Sequence, residues 1–173
     1  MCSAPCKQGR GLLFATITLR RKILKTAFSI LRHGEGEVLD VLGVAVRFLC
    51  RAADTDNAWS LMENVIPLNA GPPPHHHPWD EAYLVISGEV EFMIGSRRAR
   101  VGAGDFVYAP AGTVHAFHGV SETPARMLIF DAPAHAEHFF KDVEREVQNL
   151  PRDRAKIREI GERHGVAFLP PPQ

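Results

Sequence analysis

Turn chemistry cuts the middle of this chain into pieces too short for helices. From Gly43 to Asp131, short segments are separated by Ser87-Gly88, Gly95-Ser96 and Gly102-Ala103-Gly104, the texture of a β-sandwich or barrel. The expected strands are Val44 to Cys50, Trp59 to Ile66, Glu81 to Ile86, Glu89 to Ile94, Arg97 to Val101, Asp105 to Ala109, Thr113 to Phe117 and Arg126 to Asp131. Along one of them Val90, Phe92 and Ile94 alternate with Glu89, Glu91 and Met93, as a half-buried strand should. Eight such segments predict an all-β domain, a closed or nearly closed barrel.

After Pro133 the period changes. Phe139, Phe140, Val143 and Val147 recur at helical spacing, Pro151 interrupts, and Ile157 and Ile160 continue before Gly161 and Gly165. Two C-terminal helices are expected, covering the outside or one mouth of the barrel, because amphipathic helices of this length need an apolar surface to pack on. The chain then divides into a basic extension over 1–36, a barrel over 37–132, and helices with an extended Pro170-Pro171-Pro172 tail over 133–173. In the extension Lys7, Arg10, Arg20, Arg21, Lys22, Lys25 and Arg32 precede the first acidic residue, Glu35. Its short apolar stretch, Gly11 to Leu19, comes before the main basic cluster, which disfavours a secretory signal. An organelle transit peptide and a start codon upstream of the true one both fit.

Composition narrows the partners. The 173 residues suffice for one domain with a real core. Lysine plus arginine equals aspartate plus glutamate at 20 each, so the charge calls for neither nucleic acid nor an anionic membrane. No apolar run approaches the roughly 18 residues of a membrane span, which leaves a small-molecule substrate as the expected partner. Cys2, Cys6 and Cys50 are an odd number without a CxxC pair, a usage that favours a reducing cytoplasm over a disulfide framework.

Metal-ligand residue types gather in Pro72-Pro73-Pro74-His75-His76-His77-Pro78-Trp79-Asp80-Glu81. In an extended segment side chains alternate, so His75 and His77 point one way and His76 the other. Pro78-Trp79-Asp80 turns the chain into a strand whose first residue, Glu81, faces the same interior as Tyr83 and Val85. His115 supplies the fourth ligand, entering a new strand after the turns at Gly104 and Gly112 and the stop at Pro110. Three imidazoles and one carboxylate suit Fe(II), Mn(II), Ni(II), Co(II) or Zn(II) rather than Ca(II) or Cu(I). Four protein ligands leave positions open for water, dioxygen or substrate.

At these residues the chain resembles the cupin superfamily. The first cupin motif, G(X)5HXH(X)3,4E(X)6G, is met by His75, His77, Glu81 and Gly88, with Asn69 in place of the leading glycine and Gly71 two residues on. The second, G(X)5PXG(X)2H(X)3N, is met by Gly104, Pro110, Gly112 and His115, with Gly119 in place of the closing asparagine. From about Val38 to Pro172 the chain further resembles single-domain Cupin_2 proteins of the quercetin dioxygenase-like kind, including Gly71 to His75 and Arg163-His164-Gly165-Val166. The resemblance implies a small double-stranded β-helix, or jelly-roll, barrel with two C-terminal helices, one divalent metal with Fe(II) preferred, and a homodimer. It implies a dioxygenase of small aromatic or enolic substrates, with Glu81 as a ligand or local base. The same ligands on this fold also serve isomerases, decarboxylases, oxidases and non-catalytic ligand binders.

Other residues carry weaker expectations. Tyr83 and Phe117 share the parity of Glu81 and His115 and are placed in the substrate pocket, against the plainer reading of aromatic core. Trp79 either orients the ligands or packs at the rim. His76 and His118 are expected at the surface, and Arg97, Arg98, Arg100, Arg152, Arg154 and Arg158 on solvated faces. Either Glu63 or Asn64 faces the interior, since a shift of one residue exchanges them.

Overall fold

In the computed structural model, which describes residues 28–170, the strands form two antiparallel sheets, and the alternating segment Glu89 to Ile94 lies inside one of them. The strands are β1 (Val38–Val41), β2 (Val44–Cys50), β3 (Ser60–Ile66), β4 (His75–His76), β5 (Asp80–Ser87), β6 (Glu89–Ile94), β7 (Arg97–Gly102), β8 (Phe106–Ala109), β9 (His115–Gly119), β10 (Ala125–Ala132) and β11 (Ala167–Phe168). One sheet runs β1-β2-β3-β10-β5-β8 and the other β11-β4-β9-β6-β7. Helices α1 (Ala136–Glu146) and α2 (Leu150–His164) follow β10. The expected basic residues Lys7 to Lys25, Cys2, Cys6 and the Pro171-Pro172 tail lie outside the described residues. Among the described residues no helix is long and apolar enough to cross a membrane.

All eight expected strands are present within one or two residues. The closed barrel is met only in part: the ladders stay within two sheets, and apart from an isolated bridge between Leu68 and Gly119 no described pairing joins other segments. Proline explains part of this. Pro67, Pro72, Pro73, Pro74 and Pro78 flank β4 on both sides and have no N–H to give to a ladder. Side chains bridge the two layers instead. Tyr83 from the first sheet meets Phe92 and Phe117 from the second, with ring centroids 4.9 and 5.8 Å apart, and burial of each such side chain contributes about 1.5–3 kcal/mol. Strands β1, β4 and β11 were not expected. The first pairs with β2 across Leu42-Gly43, whose φ values of 57° and 86° suit a two-residue hairpin turn. The other two are two residues long: Ala167 and Phe168 of β11 pair with His76 and His75 of β4, and His75 also pairs with His115 of β9.

The helices are tied to the sheets by buried carboxylates. Asp131, at the end of β10, accepts from Ser60 Oγ and from the N–H groups of His135 and Ala136, at 2.9 and 3.1 Å, capping α1 from the sheet. Glu137 accepts from the N–H of Ala52 at 3.1 Å. Pro151 sits in the first turn of α2, where its missing N–H is harmless, and Asp153 accepts from the N–H groups of Gln148 and Asn149. Gly161 lies inside α2 rather than after it, because a Cβ there would come 2.6 Å from the carbonyl oxygen of Val166.

Both departures from the cupin motifs have a steric reason. Asn69 adopts φ 61°, a left-handed conformation that asparagine tolerates better than most residues. At Gly119 a Cβ would stand 2.4 Å from the carbonyl oxygen of Pro67. Gly71 is tighter still: its φ is 146° and a Cβ would meet the carbonyl oxygen of Phe117 at 2.1 Å. This close approach lays the proline run beside β9 and so delivers His75 to His115. Gly71→Ala is expected to destabilise the protein by about 2–4 kcal/mol, while Asn69→Gly changes stability by less than about 1 kcal/mol; urea unfolding of both variants measures the difference.

Candidate metal centre

Backbone carbonyls set the imidazoles. Nδ1 of His75 lies 2.9 Å from the oxygen of Pro73, Nδ1 of His77 is 3.0 Å from that of Trp79, and Nδ1 of His115 is 2.9 Å from that of Thr113. A carbonyl can only accept, so each Nδ1 carries a proton, and in the neutral ring Nε2 presents a lone pair. Each partner carbonyl is two residues from its histidine, so extended backbone on either side of the ligand is what aims the ring. His75 on β4 pairs directly with His115 on β9, and the three histidines bring one nitrogen each to within 4.8 Å of one another, all buried.

The fourth group completes a set that lacks a hydrogen. Glu81 Oε2 is 3.3 Å from Nε2 of His77 and 3.3 Å from Nε2 of His115. Both nitrogens are buried without a hydrogen-bond partner among the described residues. In the neutral rings these contacts set lone pair against lone pair, an arrangement relieved by a metal cation between them or by a proton on one of the imidazoles. The donor set therefore fits a metal ion. Burial, followed by the charge of His115, pushes the His75 imidazole down to about 4. Burial pushes the Glu81 carboxyl up, but the hydrogen-bonding and charge of His115 and His77 outweigh it and hold it well below the usual carboxylate range. Burial likewise pulls His115 down, and the hydrogen bond and charge of Glu81 more than reverse that. The carboxylate stays ionised and His75 stays neutral, the protonation states in which both groups bind a metal.

The surrounding side chains hold these four in place. Trp79 is buried and stacks on His77, with centroids 4.0 Å apart and planes 7° from parallel; its Nε1 is 3.5 Å from Glu81 Oε1. Of its two expected roles, Trp79 takes that of orienting ligands. The Tyr83 hydroxyl donates to Glu81 Oε2. Burial, the Glu81 charge and that hydrogen bond push the Tyr83 hydroxyl well above its ordinary value, so it keeps its proton. Phe168 on β11 packs 5.8 Å from His75, and Phe139 of α1 lies 6.2 Å from Phe168. The C-terminal segment thus forms one wall of the site, a contribution from about 90 residues away that no local pattern carries.

A cleft of about 1000 Å³ opens from the histidines. His75, His77 and Glu81 line it, as do Phe117, Phe139, Phe140 and Ile129, and its wall is mainly apolar. Of the two aromatic residues expected in the pocket, Phe117 lines this cleft, whereas Tyr83 is 1% exposed and reaches the site only through Glu81. His76 pairs its backbone with Ala167 and stands outside the histidine cluster. Arg98 and Arg100 make exposed ion pairs with Glu91 and Glu89, while Arg98, His118, Arg154 and Arg158 border the cleft. The choice between Glu63 and Asn64 is decided: Glu63 is held on the outer face by Arg47 and Arg126, at 3.1 and 3.0 Å from their Nε atoms, and Asn64 faces the cleft. Its buried Oδ1 has no hydrogen-bond partner among the described residues, a deficit of about 1–3 kcal/mol.

Comparison with known proteins agrees with this geometry. The Cupin_2 family, described as the cupin domain, matches residues 62–131. An uncharacterised protein of Streptomyces coelicolor is 39% identical over 57 residues, 33% of this chain and 54% of that protein. The dimethylsulfoniopropionate lyase DddQ of Ruegeria pomeroyi is 42% identical over 60 residues, 33% of this chain and 30% of the lyase. The matches thus span about half and under a third of these relatives. An RmlC-like cupin from Shewanella frigidimarina shares the fold, with a TM-score of 0.54, 18% identity, and coverage of 64% of this chain and 96% of that one. The Cupin_2 match thus covers the stretch from β3 to β10 that carries all four candidate ligands, and the likeness to the Shewanella protein is one of fold.

Proposed function

We propose that this chain is a mononuclear metal-dependent enzyme, a dioxygenase of small aromatic or enolic substrates, with His75, His77, Glu81 and His115 as ligands. The observation that carries the reading is the convergence of imidazole lone pairs and the Glu81 carboxylate, without a hydrogen between them, at the wall of an apolar cleft. A divalent ion, Fe(II) by preference with Mn, Ni, Co or Zn as the other suitable metals, supplies Lewis acidity and exchangeable positions there. The chain supplies the rest. Phe117, Phe139 and Phe140 exclude water and hold a flat apolar substrate, which strengthens every charge interaction inside the cleft. Glu81 accepts the proton of a substrate enol or phenol, and Tyr83, bonded to the same oxygen, stabilises the carboxylate until then.

A non-redox reading has support of its own. Glu81, held by the Tyr83 hydroxyl, presents a carboxylate to the cleft, and one relative is a lyase. That carboxylate suits proton abstraction in an elimination or isomerisation that needs no dioxygen. The two-sheet domain over 37–132 and the covering helices over 133–173 act as one unit in either reading, in a cytoplasmic protein.

The chain is further proposed to work as a homodimer. β8 is an edge strand, and Phe106 and Tyr108 on it, with Leu84 on β5 and Phe130 on β10, leave apolar side chains exposed on the outer face of the first sheet. A second copy related by two-fold symmetry covers the same patch on both chains.

Three outcomes are expected. Protein purified without chelators carries near-stoichiometric Fe, Mn, Ni, Co or Zn by mass spectrometry, and the His77→Ala/His115→Ala double variant loses most of it; equal metal content in both sinks the site. Supplied with Fe(II), the protein consumes dioxygen with a member of a catechol and flavonol panel. Turnover under argon assigns the non-redox reading, and thermal shifts without turnover assign a binder. Light scattering gives about twice the 19.2 kDa chain mass, and a monomeric mass refutes the dimer.

A further inference from the structure

Asn64 gives the cleft a second polar point, away from the histidines. It is 3% exposed, and its Oδ1 is buried without a hydrogen-bond partner among the described residues. The side chains around it offer no donor. Met62 and Ile66 are its neighbours on the same face of β3, and Val46 and Met127 stand opposite on β2 and β10, all buried and apolar. A leucine would fill that volume without leaving an amide oxygen unbonded. Yet Asn64 lines the same cleft as His75, His77 and Glu81, so its carboxamide stands at the wall of the space a substrate takes.

We propose that Asn64 accepts a hydrogen bond from a hydroxyl at the far end of the substrate. The inference rests on the metal-site reading and names the substrate class more closely: an elongated, mainly apolar molecule with metal-binding oxygens at one end and a hydroxyl at the other. The ladders supply the length. Asn64 pairs with Met127 and Met127 with Val85, whereas Glu81 pairs with Asp131. The two polar points thus stand four residues apart along β5, about 13 Å at the rise of a β-strand. Between them the wall carries Ile129, Phe117 and Phe140, which suits a ligand apolar in the middle. A cleft of about 1000 Å³ has room for a molecule of that length. A hydroxyl matches the carboxamide better than a carbonyl does, because it donates to Oδ1 while still accepting from an amide N–H.

The test uses cobalt-loaded full-length protein under argon, so that binding is read without oxidation. Two probes share a chelating end: 3-hydroxyflavone, which has no distal hydroxyl, and 3,4'-dihydroxyflavone, which has one. The parent protein is expected to bind the dihydroxy probe about tenfold more tightly. Asn64→Leu brings that ratio to about one while the affinity for 3-hydroxyflavone and the cobalt content stay as in the parent. Asn64→Asp, an acceptor in either protonation state, keeps the preference. If Asn64→Leu does not fold, Asn64→Ser, too short to reach the hydroxyl, takes its place. A ratio near one in the parent, or a preference that survives in the folded Leu or Ser variant, overturns the role of Asn64 and leaves the metal-site reading standing. If cobalt binds and neither flavonol does, the aromatic substrate class of that reading falls and this inference with it.

Discussion

Three hydrogen bonds from imidazole to backbone carry the site. By committing Nδ1 of His75, His77 and His115 to the carbonyls of Pro73, Trp79 and Thr113, the fold leaves each Nε2 as an acceptor with one direction to face. Each bond spans two residues of extended chain, so the ligands are aimed by local backbone geometry and not by flexible side-chain partners. A register shift of one residue in β4 or β9 would turn the rings to the opposite face. That makes the pairing of His75 with His115 the point on which the centre depends.

Glycine and proline enforce that pairing from outside. The proline run before His75 cannot join a ladder, which keeps the segment free of the first sheet, and Gly71 and Gly119 let backbones approach where any side chain would collide with a carbonyl. The same close approaches account for Gly119 standing where the cupin pattern has asparagine. Asn69 satisfies the turn at the other departure by adopting a left-handed conformation. Both departures thus preserve the loop geometry that presents the ligands.

The C-terminal segment converts a ligand set into an enclosed site. β11 pairs with β4 backbone to backbone, Phe168 packs beside His75, and Phe139 packs on Phe168. Asp131 joins the sheet to the start of α1 through buried hydrogen bonds. Helix, strand and the histidine cluster are therefore mechanically connected, and the cleft between them is a product of both halves of the chain. Its chemistry is divided accordingly: charge and lone pairs come from the sheets, and apolar surface from both the sheets and the C-terminal segment.

The strands from Val44 onward, the two helices and the grouping of His75, His77, Glu81 and His115 were legible in the sequence, because period-two and helical patterns, turn residues and residue spacing are local properties. The aim of Trp79 onto His77 follows from neighbours two residues apart and was half legible for the same reason. Sheet closure was not, since it depends on which backbone donors are left after prolines are placed. Strands β4 and β11 were not, since two residues carry no period and their partners lie about 40 and 90 positions away. The inward face of β3 was settled by Arg47 and Arg126 gripping Glu63 on the outside, an interaction between three separate strands. That grip turned Asn64 toward the cleft: the sequence by itself determined the elements and the residue types of the candidate metal centre, whereas long-range pairing alone decided which side chains line the cleft.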